Sequence, residues 1–289
     1  MRTPSPRVVA LACLAVAAAV AATSARAHHA GRRSALAGFS FRSQALHRNL
    51  HFEVYLPADY QASGLRYPVV YYLHGLPAGP GAYGDVGWLG GALDSLTRGV
   101  ILVAPQGSTK EDSDPEYLDW GPGRNWETAI ATELPRFVDS HLRTIGRRDG
   151  RALVGLSAGG YGAVILALHH LDDFAAIESW SGYFHPTNPS GTQGLDLGSS
   201  VRNTQANAHT FVSTLKRDRK KRPTFFAFYV GDKDWRFRDE NLRLDRELKA
   251  AHVPHVFALY PGAHEGTVWS AHAKAWLQLA VDHLAAPAP

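Results

Sequence analysis

Along the chain, short continuous apolar runs alternate with longer stretches in which apolar residues recur every three or four positions. The short runs are rich in β-branched and aromatic residues and fall at 51–57, 67–73, 100–105, 151–156, 175–180, 224–230 and 255–260. Their length and composition predict β-strands. Segments 127–142, 158–170, 241–251 and 267–284 carry the helical period; in the first, Ala129, Ile130, Leu134, Phe137 and Val138 share one face. Strands that are apolar throughout, separated by such helices, predict an α/β fold: a mostly parallel central sheet with helices on both faces. The first runs have no helical stretch between them, so the sheet is expected to begin antiparallel. Residues 182–222 are polar and rich in Asn, Thr, Gly and Ser. They read as an insertion over the sheet edge within a single domain spanning 28–289.

The residues ahead of that domain follow a different pattern. Arg2 and Arg7 precede a 15-residue apolar stretch, VVALACLAVAAAVAA, and Ala25-Arg26-Ala27 follows as an A-x-A site. This predicts a secretory signal peptide over 1–27 and an extracytoplasmic protein; the stretch is too short for a comfortable membrane span. The sole cysteine, Cys13, sits early in that stretch, which argues against a lipid anchor. Three of the 30 basic residues lie in this leader, so the remainder carries 27 against 26 acidic ones, and the basic pI belongs mainly to the leader. The one local basic run, KRDRKK at 216–221, has no interleaved aromatics. It reads as the solvated end of a surface helix, and no nucleic-acid partner is expected. Without cysteines beyond the leader, an exported domain has no disulfides and must be held by its core.

The chemistry centres on GLSAGG. Gly155-Leu156-Ser157-Ala158-Gly159 is G-x-S-x-G between a predicted strand and a predicted helix. That tight turn strains the serine and exposes its hydroxyl at the top of the sheet, and a side chain at either glycine would clash. The following helix start places the N–H of Ala158 where an oxyanion would develop. A serine hydroxyl needs a base at neutral pH. In this architecture the order is Ser, acid, His, with the acid after a late strand and the histidine after the last one. FYVGDKDW offers Asp232 and Asp234, and LYPGAHEGTVW offers His264 between Gly262 and Gly266. The second oxyanion donor is expected in the loop VVYYLHGLPAG, at the N–H of Leu76, with His74 as a structural residue. Gly79 to Gly84 matches G-x-G-x-x-G, but Pro80 removes one N–H and no strand-ending acid follows about 20 residues on, so no dinucleotide cofactor is expected. Adjacent pairs His28-His29 and His169-His170, and a His264-Glu265 without H-E-x-x-H spacing, predict no metal site.

Taken together, YLHGLPAG, DW…NWETAIATELPRFV, GLSAGGYGAVILAL, VGDKDW and YPGAHEGTVW resemble the putative-esterase family of α/β-hydrolases over residues 47–284. That family includes esterase D, feruloyl-type esterases and mycolyltransferases. The resemblance implies the α/β-hydrolase fold, a serine esterase without cofactor, and a small-molecule or cell-envelope ester as substrate. Its G-x-x-D setting, Gly231 to Asp234, implies Asp234 as the acid. The DW…WET…ELP stretch is closest to the mycolyltransferases, which implies acyl transfer to a sugar or other alcohol as the alternative. Those enzymes usually carry Asp and Arg in the first loop, where this chain has His74 and Pro77, which favours the hydrolase branch. A non-catalytic surface protein on the same fold is the reading from another class. Trp120, Trp126 and Trp235 are candidates for a pocket wall or for packing.

Overall fold

The structure is a computed structural model that describes residues 34–289; the expected leader, Cys13 and His28-His29 lie outside the described residues. Every apolar run forms a strand: β2 (Arg48–Leu56), β3 (Val69–Leu73), β4 (Ile101–Pro105), β5 (Arg151–Leu156), β6 (Ala176–Trp180), β7 (Phe225–Gly231) and β8 (Val256–Tyr260). A further strand, β1 (Ala35–Ser43), has no apolar run to announce it. It lies at the sheet edge, and only alternate residues such as Phe39 and Phe41 pack against the core. The strand order is β1-β2-β4-β3-β5-β6-β7-β8. β2 runs antiparallel to β1 and β4, and all later neighbours are parallel. The fold is the expected α/β-hydrolase sheet, antiparallel at its start.

Successive strand residues feed opposite faces. Tyr71, Leu73, Leu153, Ile177 and Phe228 face one core, shared with α3 (Leu134–His141), α4 (Ala158–His169) and α7 (Arg238–Ala250). Val70, Tyr72, Val154 and Tyr229 face the other, closed by α2 (Gly90–Asp94) and α8 (Gly266–Asp282). Burial on both faces is why these strands carry almost no polar residue. The helix expected at 127–142 opens as a π turn, Thr128–Glu133, and continues as α3. Pro135 has no N–H for an α-type bond at that junction, so the turn before it widens. A short helix, α1 (Tyr60–Ser63), links β2 to β3.

The acidic residues of the DW…WET…ELP stretch tie the chain together. Asp119 accepts from the Thr128 N–H at 3.0 Å and hydroxyl at 2.6 Å. Glu127 meets His169 at 2.8 Å and His170 at 3.0 Å. Glu133 accepts from Ser43 at 2.5 Å and the Ala45 N–H at 3.1 Å. Segment 182–222 differs from its expected place. It connects β6 to β7, neighbours inside the sheet, through α5 (Ser200–Gln205), the turn Ala208–Phe211 and α6 (Val212–Lys221). Parallel neighbours require a crossover over one face, so this is a connection of the sheet and not an addition at its edge. Its polar composition belongs to its outer side, while Leu197, Ala206, Val212 and Leu215 are buried. The basic run closes α6, with Lys216, Arg217, Lys220 and Lys221 exposed.

The second core converges on Trp276 of α8, whose ring stacks on Tyr229 at 4.8 Å and meets Trp180 at 5.1 Å. Trp276→Ala should therefore cost about 3–5 kcal/mol in denaturant unfolding. A midpoint shift equivalent to less than about 1 kcal/mol would show that this cluster does not carry the α8 face.

Candidate active site

The turn from β5 into α4 is built around Ser157, whose backbone sits at φ 56°, ψ −122°. That region is costly for any residue with a side chain. Ser157 is pinned there by its N–H, which donates to the Trp180 carbonyl at 2.8 Å, and by its carbonyl, which accepts from Tyr161 N–H at 3.1 Å. The two flanking glycines leave no alternative. A Cβ at Gly155 would lie 1.9 Å from the Gly159 carbonyl oxygen, and one at Gly159 would lie 2.0 Å from that of Leu73. Ala158 is the first residue of the twelve-residue α4, so its N–H has no intrahelical acceptor and points out of the helix start.

The acid and the imidazole arrive on the loops after β7 and β8. Asp234 is 1% exposed; its Oδ1 accepts from the Phe237 N–H at 3.3 Å and its Oδ2 faces His264 Nδ1 at 2.8 Å. His264 Nε2 lies 3.0 Å from Ser157 Oγ. A carboxylate can only accept, so Nδ1 carries the proton and Nε2 is left as the acceptor facing the hydroxyl. The ring is held edge-on between Phe237 at 5.2 Å and Trp269 at 5.1 Å. Asp232 is turned elsewhere: its Oδ1 accepts from the Gly262 N–H at 2.9 Å. With the bond from Lys233 N–H to the Gly262 carbonyl at 2.8 Å, it laces the acid loop to the histidine loop. Of the residues singled out in the sequence, Ser157, His264 and Asp234 thus stand in one hydrogen-bonded line, and Asp232 stands outside it.

Leu76 and Ser157 line a narrow crevice with space for about one water molecule. The loop carrying Leu76 lies against the serine, with the Cβ position of Gly75 at 3.4 Å from Ser157 Cβ. His74 fixes that loop. Its Nδ1 pairs with the Gly75 carbonyl at 2.8 Å, and its Nε2 accepts from the Gly107 N–H at 3.0 Å. Burial holds its pKa below the usual histidine value, in keeping with a neutral ring that donates on one side and accepts on the other. The three tryptophans part company. Trp126 is buried and donates to Asp112 at 3.1 Å. Trp120 donates to the Pro115 carbonyl at 2.7 Å and is flanked by Arg124 and Arg202. Trp235, 77% exposed, stands beside Asp234 on the acid loop.

Sequence reasoning missed Asp114, Tyr183 and Arg236, which line this crevice, and Glu116, which is bonded to Tyr183. Glu116 is buried, accepts from the Tyr183 hydroxyl at 2.7 Å and from the Thr187 N–H at 3.2 Å, and so clamps residues 183–187 to 114–117. Burial, reinforced by the Asp114 charge, pushes its carboxyl up to about 8. Nothing in EDSDPEY distinguishes this glutamate from a solvated one, because its partners come from a segment almost 70 residues away.

A family model described as "Putative esterase" matches residues 43–275. An esterase of Mycobacterium tuberculosis is 36% identical over 147 residues, which cover 50% of this chain and 31% of that protein. The chain thus matches about a third of the length of that relative. A diacylglycerol acyltransferase/mycolyltransferase of Mycobacterium leprae is 31% identical over 156 residues, 50% of this chain and 45% of the other. Among solved structures, a ferulic acid esterase superposes with a TM-score of 0.74 at 24% identity, covering 88% of this chain and 99% of its own. That likeness is one of fold.

Two substitutions test the local physics. Gly159→Ala should abolish soluble folding or cost several kcal/mol, because backbone atoms must move to admit the methyl group, whereas Gly79→Ala, with nothing within 4 Å of its Cβ position, should fold normally. The folded Glu116 carboxyl keeps its proton up to about pH 8, while the unfolded one loses it near 4.5. Folding therefore retains a proton between those values, and the stability tied to this group falls as pH rises through the window. Thermal unfolding of wild type against Glu116→Gln should show the wild type losing ground from pH 5 to 8 and levelling beyond. A difference that stayed flat would mean that the buried carboxyl is ionised throughout.

Proposed function

Since the chain belongs to the "Putative esterase" family, we propose that it is a serine carboxylic-ester hydrolase that works through an acyl-enzyme on Ser157. The observation that carries the reading is the line from Ser157 Oγ to His264 Nε2 at 3.0 Å and from His264 Nδ1 to Asp234 Oδ2 at 2.8 Å. Ser157 attacks the ester carbonyl as His264 takes its proton at Nε2, and Asp234 holds the ring and stabilises the imidazolium. The N–H groups of Leu76 and Ala158 receive the oxyanion. Collapse of the tetrahedral intermediate breaks the bond to the alcohol, which leaves with the proton from His264. Water then enters, gives its proton to His264, and releases the acid by the same steps in reverse. The bound partner is a small-molecule or cell-envelope ester, and no cofactor or metal takes part.

Acyl transfer is the second reading, and its support is the Mycobacterium leprae relative named as an acyltransferase. The two reactions share every step up to the acyl-enzyme and differ in whether water or an alcohol enters. Product analysis on an aryl ester with and without a sugar alcohol separates them: free acid alone supports hydrolysis, and an acylated sugar supports transfer. We also read the protein as exported, on the strength of the 1–27 pattern.

Ser157→Ala should keep the fold, lose labelling by a fluorophosphonate, and lower ester turnover by on the order of 10^6. Retained labelling at another residue would remove Ser157 from the role of nucleophile. Asp234→Asn should lower kcat by on the order of 10^4, because the imidazole loses the carboxylate that sets its tautomer. Asp232→Asn keeps an acceptor for the Gly262 N–H and should change kcat little. Side-by-side kinetics that reversed this order would transfer the acid to Asp232.

A further inference from the structure

His264 must stand in line with Ser157 at every turnover, yet the ring is held unevenly. The Asp234 carboxylate fixes one atom of it, Nδ1, at 2.8 Å. A single hydrogen bond leaves the ring free to swing about that contact, and a displacement of about 1 Å can cost on the order of 10^2 in rate. What limits the swing is the pair of aromatic rings beside it, Phe237 at 5.2 Å and Trp269 at 5.1 Å. Phe237 is 2% exposed and packs on Tyr183 at 4.8 Å. Trp269 is less secured by its own element. It lies in the first turn of α8, and its N–H reaches the Glu265 carbonyl at 3.5 Å, beyond the ordinary hydrogen-bond range.

The Trp269 side chain is anchored elsewhere. Its indole N–H donates to the Ser181 hydroxyl at 3.0 Å. Ser181 follows β6, an interior strand buried along its whole length, and is itself fully buried. Its backbone stands at φ 49°. That left-handed conformation is costly for a residue with a side chain and persists where the surroundings impose it. Here the bond from Ser181 N–H to the Tyr229 carbonyl of β7, at 2.7 Å, holds it. Glycine would adopt this φ with less strain but would have no hydroxyl to offer. The preceding residue, Trp180, accepts the Ser157 N–H at 2.8 Å. Residues 180 and 181 thus meet both ends of the proton transfer. One sets a carbonyl on the backbone of the nucleophile, and the other sets a hydroxyl on the ring that flanks the base.

We propose that Ser181 is a positioning residue for the base: through Trp269 it keeps the His264 ring aligned with Ser157. The inference rests on the serine-hydrolase reading above. Neither Ser181 nor the indole takes part in bond making. They hold the wall against which the imidazole stands while Nε2 takes the proton and returns it. They also tie that wall to the strand that holds the nucleophile's own turn.

A double-mutant cycle on Ser181→Gly and Trp269→Phe tests this, with kcat on an aryl ester expressed per site labelled by a fluorophosphonate. Ser181→Gly accepts the φ without strain and loses the hydroxyl; Trp269→Phe keeps an aromatic wall and loses the N–H. Each should lower kcat by about tenfold, slow the labelling reaction in parallel, and leave KM within about twofold. The double variant should be no slower than the slower single one, because both changes break the same bond. A merely structural role would instead lower the melting temperature and the fraction of sites that label, while the sites that do label turned over at the wild-type rate. Wild-type kcat per labelled site in Ser181→Gly, or losses in the two singles that multiply in the double, would overturn the positioning role alone. If Ser181→Gly does not fold, Trp269→Phe decides: a tenfold loss at constant KM supports the role and an unchanged kcat overturns it. Absence of both turnover and labelling in the wild type would overturn the hydrolase reading and this role with it.

Discussion

The structure depends on the close approach of backbone to backbone around Ser157. Gly155, Gly159 and the end of β3 meet at separations that no Cβ could share. That contact forces α4 onto the sheet and holds the serine at a φ it would not adopt alone. The bond from Ser157 N–H to the Trp180 carbonyl extends the constraint to β6. Further along the same helix, Gly160 lies against Ser179 and Gly182, and Gly162 against Tyr117. The glycines that permit the serine's strain therefore also set how deeply the helix is buried. The cost of an unusual conformation is spread over two strands and a helix that are themselves nearly inaccessible to water.

How much of this was legible in the chain follows the range of the interactions. The serine turn is local: strand, glycines and helix start are contiguous, so a few residues carried the whole signal. His264 was reachable because chain order in a parallel sheet assigns loops to one rim, so a histidine after the last strand must arrive there. Asp232 and Asp234 were not separable by their surroundings in sequence. Both leave the same strand, and only the turn through Lys233 decides that one faces His264 and the other Gly262. Resemblance named Asp234, and the geometry places that residue beside the imidazole. β1 was invisible because an edge strand with one buried face needs few apolar residues. The surroundings of Asp114 and Glu116 were invisible for a different reason: they come from 183–187 and 236–237, which the sequence does not place beside them.

The acidic stretch that helped to reveal the resemblance has proved to be architectural. Asp119, Glu127 and Glu133 each receive hydrogen bonds that fasten the start of a helix to another part of the chain. Their spacing is therefore a signature of how the helix before β5 is moored, and it says little about what is bound. The chemically informative residues lie in the more irregular stretches on either side, where the backbone is free of the sheet.

β8 closes the sheet on the side where the histidine loop begins. Among the described residues it is paired to β7 alone, and its burial is only partial along its length. The serine, by contrast, rises from β5, with neighbours on both sides and no exposed residue in its strand. Elements of such unequal protection open at different free energies. The imidazole is therefore held by a less protected part of the sheet than the hydroxyl is. A local opening of that margin would part the imidazole from the hydroxyl while β5 and its neighbours stay closed, so the alignment of the two rests on the sheet's edge more than on its centre.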